Sequence, residues 1–361
     1  MTKLKRLTVR PVMVPASRPA VTATGTFDRI ALVLIDLEAD TGAIGRTYLF
    51  TFTEPMLKPT VACIEALWPL LENQTAAPDT LDRTLRQRFR LIDTYGILGQ
   101  ALAGINMALW DIDAQTAGLP LARHLGSAVD AVTAYNSCGL WHELPDALGA
   151  QASALLDQGG FSALKIRLGR ANPADDVAAV RAVKAAMPGN TLLMSDYNQA
   201  LTTENAIARG RVLDEEGLYW IEEPVRFDDF TACARVNAAL NTPVQIGENL
   251  RSPLEMTHAI AANAARYYMP DPQRIGGVSG WLRAAALAEA HAFELSSHLF
   301  PEICVHLLAA SATRHWLEYV DWANPILEDP LEIRDGAAVV PGRPGIGMCW
   351  NEAAVKRYAV A

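Results

Sequence analysis

The chain has 361 residues, half of them hydrophobic, and a formal net charge of −9. That length suits one barrel-sized domain with an addition, or two to three smaller domains. The acidic balance argues against nucleic acid or an anionic membrane as a partner. Five scattered cysteines without a CxxC pair suit reduced thiols rather than a disulfide frame or structural zinc.

In chain order, "MTKLKRLTVRPVMVP" is basic but carries no apolar run of signal-peptide length, and Pro11 and Pro15 interrupt it. "IALVLIDL" (30–37) is too short to cross a bilayer and reads as a strand. A soluble, cytoplasmic protein is expected. Residues 3–53 read as strands with turns, Gly42 and Gly45 marking a hairpin-like return. Residues 54–128 turn helical, with apolar positions at helix period, so 1–128 is expected to form one α+β unit.

From about residue 130 short apolar runs alternate with helical stretches. "AVTAYNSCGL", "FSALKIRL", "TLLMSDYN", "GLYWIEEP", "PVQIGEN", "ARYYMPD", "FELSSHL" and "HWLEY" make eight strand candidates. Their interleaving with helices predicts a parallel α/β barrel over residues 129–321. The closing stretch, 322–361, holds an Asp-Gly turn between β-rich pieces and predicts a hairpin or strand return outside the barrel.

In "SALKIRLGR" the two cations Lys165 and Arg167 share one side of a strand, because side chains alternate. The strand candidates that follow end in Asp196, Glu222, Glu248, Asp271, His298 and Glu318, with steps from Lys165 onward of between 20 and 31 residues. Strand C-termini of such a barrel open on one face, where its active sites lie. Any one acid there is equally well a helix cap. Caps do not explain six acids and bases in step with a cationic strand.

Asp196, Glu222 and Glu248 come from three successive strands and would repel one another at a common point. A hard divalent cation with oxygen ligands, Mg²⁺, answers that repulsion, and none of these strand ends offers the His or Cys of a zinc site. Asp271, one strand before His298, pairs with it as orienter and base. Lys165 and Arg167 then face the barrel mouth, matched by these acids and by an anionic substrate. Metal, cations and a His–Asp pair together suit removal of a proton α to a carboxylate.

At these residues the chain resembles the enolase superfamily and, within it, the mandelate racemase subgroup. The resemblance runs nearly end to end through "LVLIDL", "YLF", "SDYNQ", "WIEEP", "GEN", "MPD…RIGGVSGW", "SSHLF" and "HWLE". It implies a modified TIM barrel, (β/α)₇β, under an N-terminal α+β capping domain to which the chain's end returns. It also implies Mg²⁺ on Asp196, Glu222 and Glu248, and His298–Asp271 as base on one substrate face. Glu318 would be protonated and donate to the substrate carboxylate, with Lys165 close by. Ser137 and Asn198 match polar neighbours of the substrate. Thr24, Phe27, Phe52 and Leu299 belong to the expected pocket. A small carboxylate is the implied substrate, and a homo-oligomer, often an octamer in the subgroup, is the implied assembly.

Two departures stand out. The subgroup's racemase has Lys-x-Lys on the second barrel strand, its second lysine being the base opposite His; here Arg167 holds that position. A guanidinium is a poor general base. Phe52 stands where the racemase carries a tyrosine. Two functions remain open: racemisation or epimerisation of a 2-hydroxy acid, which leads on whole-chain likeness, and dehydration of an acid sugar by His298 alone. A non-catalytic carboxylate-binding descendant is the third reading; the intact carboxylate set and His–Asp pair speak against it.

Overall fold

The computed structural model describes residues 2–22 and 25–360, so Thr24 lies outside the described residues. The N-terminal part opens with an antiparallel meander of β1 (Leu4–Thr22), β2 (Gly25–Ala39) and β3 (Ile44–Phe50). Gly42, at φ +86°, makes the tight return between β2 and β3 that an L side chain resists. Residues 30–35 of the central strand are buried on both faces, which is why they read as an apolar run rather than an alternation.

Helices Leu57–Leu71, Pro78–Arg88 and Gly96–Thr116 follow. The last is buried along most of its length because it lies between the meander and the barrel. Gly45 lets it approach β3: a Cβ there would collide with the Ala108 carbonyl oxygen. On its other side Asn106 and Ser279 exchange two 3.0 Å hydrogen bonds, fastening cap to barrel.

The barrel strands are β4 (Ala131–Asn136), β5 (Ala163–Arg167), β6 (Leu192–Asp196), β7 (Ile221–Glu222), β8 (Val244–Ile246), β9 (Tyr267–Tyr268) and β10 (Leu317–Tyr319). Neighbours run parallel, and β10 pairs with β4 to close the ring. The expected strand in "FELSSHL" shrinks to Leu295, which bridges Tyr268 and Arg314 by single pairs. The chain turns sharply just beyond it, with Leu299 and Phe300 both left-handed at φ +49° and +47°, so no longer ladder forms. Several intervening helices start on side-chain caps, among them Asn172, Thr202, Asp229 and Ser252.

The Asp-Gly hairpin forms between β11 (Ile333–Arg334) and β12 (Ala337–Val339), with positive φ at Asp335 and Gly336 as a two-residue return demands. It is not separate from the barrel: β12 adds antiparallel to β4 and extends the same sheet. The chain then reaches the cap, where Trp350 Nε1 donates to Asp36 at 2.7 Å and Val12 bridges Ala359. The whole is an α/β fold, a modified TIM barrel with an N-terminal α+β cap. Among the described residues no helix is long and apolar enough to cross a membrane.

Candidate active site

Strand register assembles the site. Arg167 pairs with Asp196, and Asp196 with Glu222, on adjacent parallel strands, so three strand-end side chains stand side by side at one barrel face. Lys165 and Arg167 both point inward and are 1% and 5% exposed. Two buried cations need anions, and they have them. Lys165 Nζ lies 2.6 Å from Glu222, 2.7 Å from Glu318 and 3.6 Å from Asp196. Burial works to lower its pKa, but Glu222 and Glu318 outweigh it, so the ammonium is held charged. Arg167 Nη2 donates to Ser137 Oγ at 2.9 Å, its Nε faces Asp196 at 3.6 Å, and its guanidinium stacks 4.4 Å from the Trp141 ring.

Asp196, Glu222 and Glu248 each offer an oxygen within 4.8 Å of the others'. All three are nearly or fully buried. Burial and the facing anions push the Glu222 carboxyl up despite Lys165. An all-oxygen cluster whose members repel fits a hard divalent cation such as Mg²⁺ and fits zinc poorly. Asn198 backbone and side-chain N–H groups donate to Asp196 at 2.7 and 2.9 Å, and Asn249 donates to Glu248 at 3.0 Å, orienting these carboxylates.

His298 Nδ1 sits 2.8 Å from Asp271 Oδ2, while Nε2 faces Glu248 at 3.3 Å. Burial disfavours the imidazolium, yet Glu248, Asp271 and Glu318 raise the pKa to about 9. Asp271 does serve as a helix cap as well: its Oδ1 accepts from Gln273 N at 2.7 Å. One carboxylate thus fixes both the helix start and the ring.

Glu318 departs from expectation. It accepts hydrogen bonds from Lys165, Ser137 Oγ (2.7 Å) and Leu299 N (2.9 Å). Burial favours its neutral form, but Lys165, His298 and Arg167 overcome that and hold it well below the usual carboxylate range. In all three contacts it accepts, where a donor was expected. Ser137 also differs: fully buried, it links Arg167 to Glu318 and does not line the cavity.

The cavity over these groups measures about 280 Å³. Asn198, Leu299, Phe27 and Phe52 line it, the last two from the cap, together with Phe50 and Trp322. Phe52 holds a left-handed backbone at φ +61°, and its ring packs tilted against Phe50 with centroids 4.3 Å apart. Trp141, Asn249 and Arg274 line it too and were not singled out from sequence. Asn249 follows Glu248 directly and Arg274 lies three residues after Asp271, so proximity to a strand-end acid was the available signal. Trp141 had none beyond following the first barrel strand.

Residues 147–354 match the family description "Enolase C-terminal domain-like", and residues 5–126 match "Mandelate racemase / muconate lactonizing enzyme, N-terminal domain". L-talarate/galactarate dehydratase of Salmonella typhimurium is 37% identical over 72% of this chain; the match spans 65% of that enzyme's length. Among solved structures, an enolase from alpha proteobacterium BAL199 with bound Mg is 39% identical, with TM-score 0.98 over the full length of both chains. A Bradyrhizobium enolase complexed with magnesium and mandelic acid is 36% identical, with TM-score 0.96 over 100% of this chain and 99% of that one.

Proposed function

The chain belongs to the mandelate racemase and muconate lactonizing enzyme family of the enolase superfamily, and from that premise we propose that it removes the α-proton of a 2-hydroxy carboxylate with His298 as its single base and completes the reaction by loss of a β-hydroxyl. Magnesium, when held by Asp196, Glu222 and Glu248, supplies a Lewis acid beside the substrate carboxylate.

Glu248, the largest of the anions that raise the His298 pKa, would be committed to the cation, and the neutral ring then takes the α-proton on Nε2 while Asp271 on Nδ1 fixes the tautomer. As the C–H bond breaks, its electron pair moves toward the substrate carboxylate, where Lys165 supplies fixed positive charge. The pair then forms the C2–C3 double bond, the C3–O bond breaks, and the proton on His298 leaves with the hydroxyl as water. The enol so formed tautomerises to a 2-keto-3-deoxy acid.

Arg167 carries this reading. It stands where a second base would, yet a guanidinium keeps its proton far above neutral pH, and Ser137, Asp196 and Trp141 pin it in place. One base suffices for dehydration and fails for racemisation. The second reading, racemisation or epimerisation, is supported by the apolar wall of Phe27, Phe50, Phe52, Leu299 and Trp322 and by the mandelic acid held in the Bradyrhizobium neighbour.

The test is incubation with Mg²⁺ in D₂O against mandelate enantiomers, aldonates and aldarates, followed by NMR and chiral analysis. A 2-keto-3-deoxy product, with exchange of one configuration only, is expected. Exchange with inversion from both enantiomers would establish a second base and overturn the single-base reading. The homo-oligomer expected from the family likeness also stands as a proposal, read by sedimentation.

A further inference from the structure

Phe50 ends β3, the edge strand of the cap meander, and lies opposite Leu32 of β2. Thr51 N donates to Ala31 O at 3.0 Å, so strand alternation turns the N–H and C=O of Phe50 the other way, off the edge. Phe50 is buried, and buried backbone polar groups need partners. One barrel side chain supplies both. Gln273 Oε1 accepts from Phe50 N at 2.7 Å, and its Nε2 donates to Phe50 O at 3.0 Å.

Gln273 is itself buried, on the short helix Pro272–Ile275, two residues after Asp271. Its backbone N–H donates to Asp271 Oδ1 at 2.7 Å, and the other oxygen of that carboxylate holds His298 Nδ1 at 2.8 Å. A step of two residues therefore joins the orienter of the base to a backbone clasp on the cap. The Phe50 ring lines the cavity, its centre 4.3 Å from that of Phe52 and 4.9 Å from that of Trp322. The clasp thus grips the apolar wall over the base. Docking of the cap has fastenings elsewhere, at Asn106–Ser279 and Tyr48–Glu302.

We propose that Gln273 is a positioning residue that fixes the distance between the cap's apolar wall and the His298–Asp271 pair. A substrate side group seated against Phe50 and Phe52 then presents its α-hydrogen to Nε2. This rests on the reading that His298 removes that proton. A misplacement of about 1 Å costs roughly 100-fold in rate. A side chain that only satisfied the buried Phe50 backbone would affect stability and leave the rate of the folded enzyme unchanged.

The experiment uses the full chain with Mg²⁺ and either mandelate or gluconate. It reads C2 deuterium exchange at saturating acid, acid affinity by calorimetry, and amide protection by hydrogen-exchange mass spectrometry. Gln273→Met fills a similar volume without the clasp. It should lose protection at Phe50 while Tyr48 stays protected, and C2 exchange should fall about 10- to 100-fold with affinity changed far less. In Gln273→Glu burial favours the neutral carboxyl, which can still accept from and donate to Phe50, so most of the rate should remain. That variant also decides the matter if Gln273→Met does not fold: a rate as low as that of an enzyme without the base would then count against the clasp. A folded Gln273→Met that exchanges at the wild-type rate, a loss carried wholly by affinity, or protection lost equally at Tyr48 overturns the proposal. A wild type that exchanges no acid at C2 sinks the proton-abstraction reading, and the crystal structure of Gln273→Met then judges the clasp. Phe50 displaced from His298 upholds it; Phe50 in place overturns it.

Discussion

The Tyr48 hydroxyl, on the last strand of the cap, donates a 2.7 Å hydrogen bond to Glu302 Oε2, in the barrel helix that begins three residues after His298. The contact is buried on both sides and joins cap to barrel. Burial raises the Glu302 carboxyl to about 7. In the unfolded chain it titrates near the ordinary glutamate value. Its favourable contribution is therefore complete below that ordinary value and is lost as pH rises through about 7. Glu302→Gln keeps the acceptor and removes the titration. The variant should match the wild type near pH 5 and be more stable at pH 8, by about 2 kcal/mol. Thermal melts at the two pH values decide it; equal differences at both would show that ionisation of Glu302 is not the cause.

Mg²⁺ should raise thermal stability, because it relieves the mutual repulsion of Asp196, Glu222 and Glu248. At a hundred times its Kd, a ligand of the folded state alone contributes about 2.7 kcal/mol. The shift should vanish on chelation and shrink in Asp196→Asn. A full shift retained in that variant would move the ion elsewhere.

His298→Asn should lower α-proton exchange by about 10²- to 10⁴-fold, the usual worth of a positioned base. Asp271→Asn should cost less and act by loosening the ring, which it holds at 2.8 Å. Exchange rates by NMR give both. An His298→Asn variant that exchanges at the wild-type rate would remove His298 from the chemistry.

Arg167→Lys places an amine where proton transfer is feasible. It should gain exchange from the face opposite His298, seen as deuterium incorporation into the mandelate enantiomer that the wild type leaves untouched. If the variant exchanges the same single enantiomer as the wild type, Arg167 is not what limits the enzyme to one face.

Much of this was legible in the chain. The strand-end residues Lys165, Arg167, Asp196, Glu222, Glu248, Asp271 and His298 could be placed together because parallel strands in a barrel share one open end, so βα spacing alone brings their last residues to a common face. The hairpin at Asp335–Gly336 was equally readable, since its backbone needs φ > 0 at both positions. Its attachment to β4 was not: an antiparallel pairing across about two hundred residues leaves no local mark.

The sequence by itself determined which groups meet at the barrel mouth, through strand period and unit length. Tertiary structure alone decided their charge states and the walls around them. Glu318 lies 2.7 Å from Lys165, and Ser137 is buried between Arg167 and Glu318. Arg274 meets Phe52 only because the cap folds over the barrel. Electrostatic energy depends on distance and burial, and neither quantity is written in the spacing of residues along a chain.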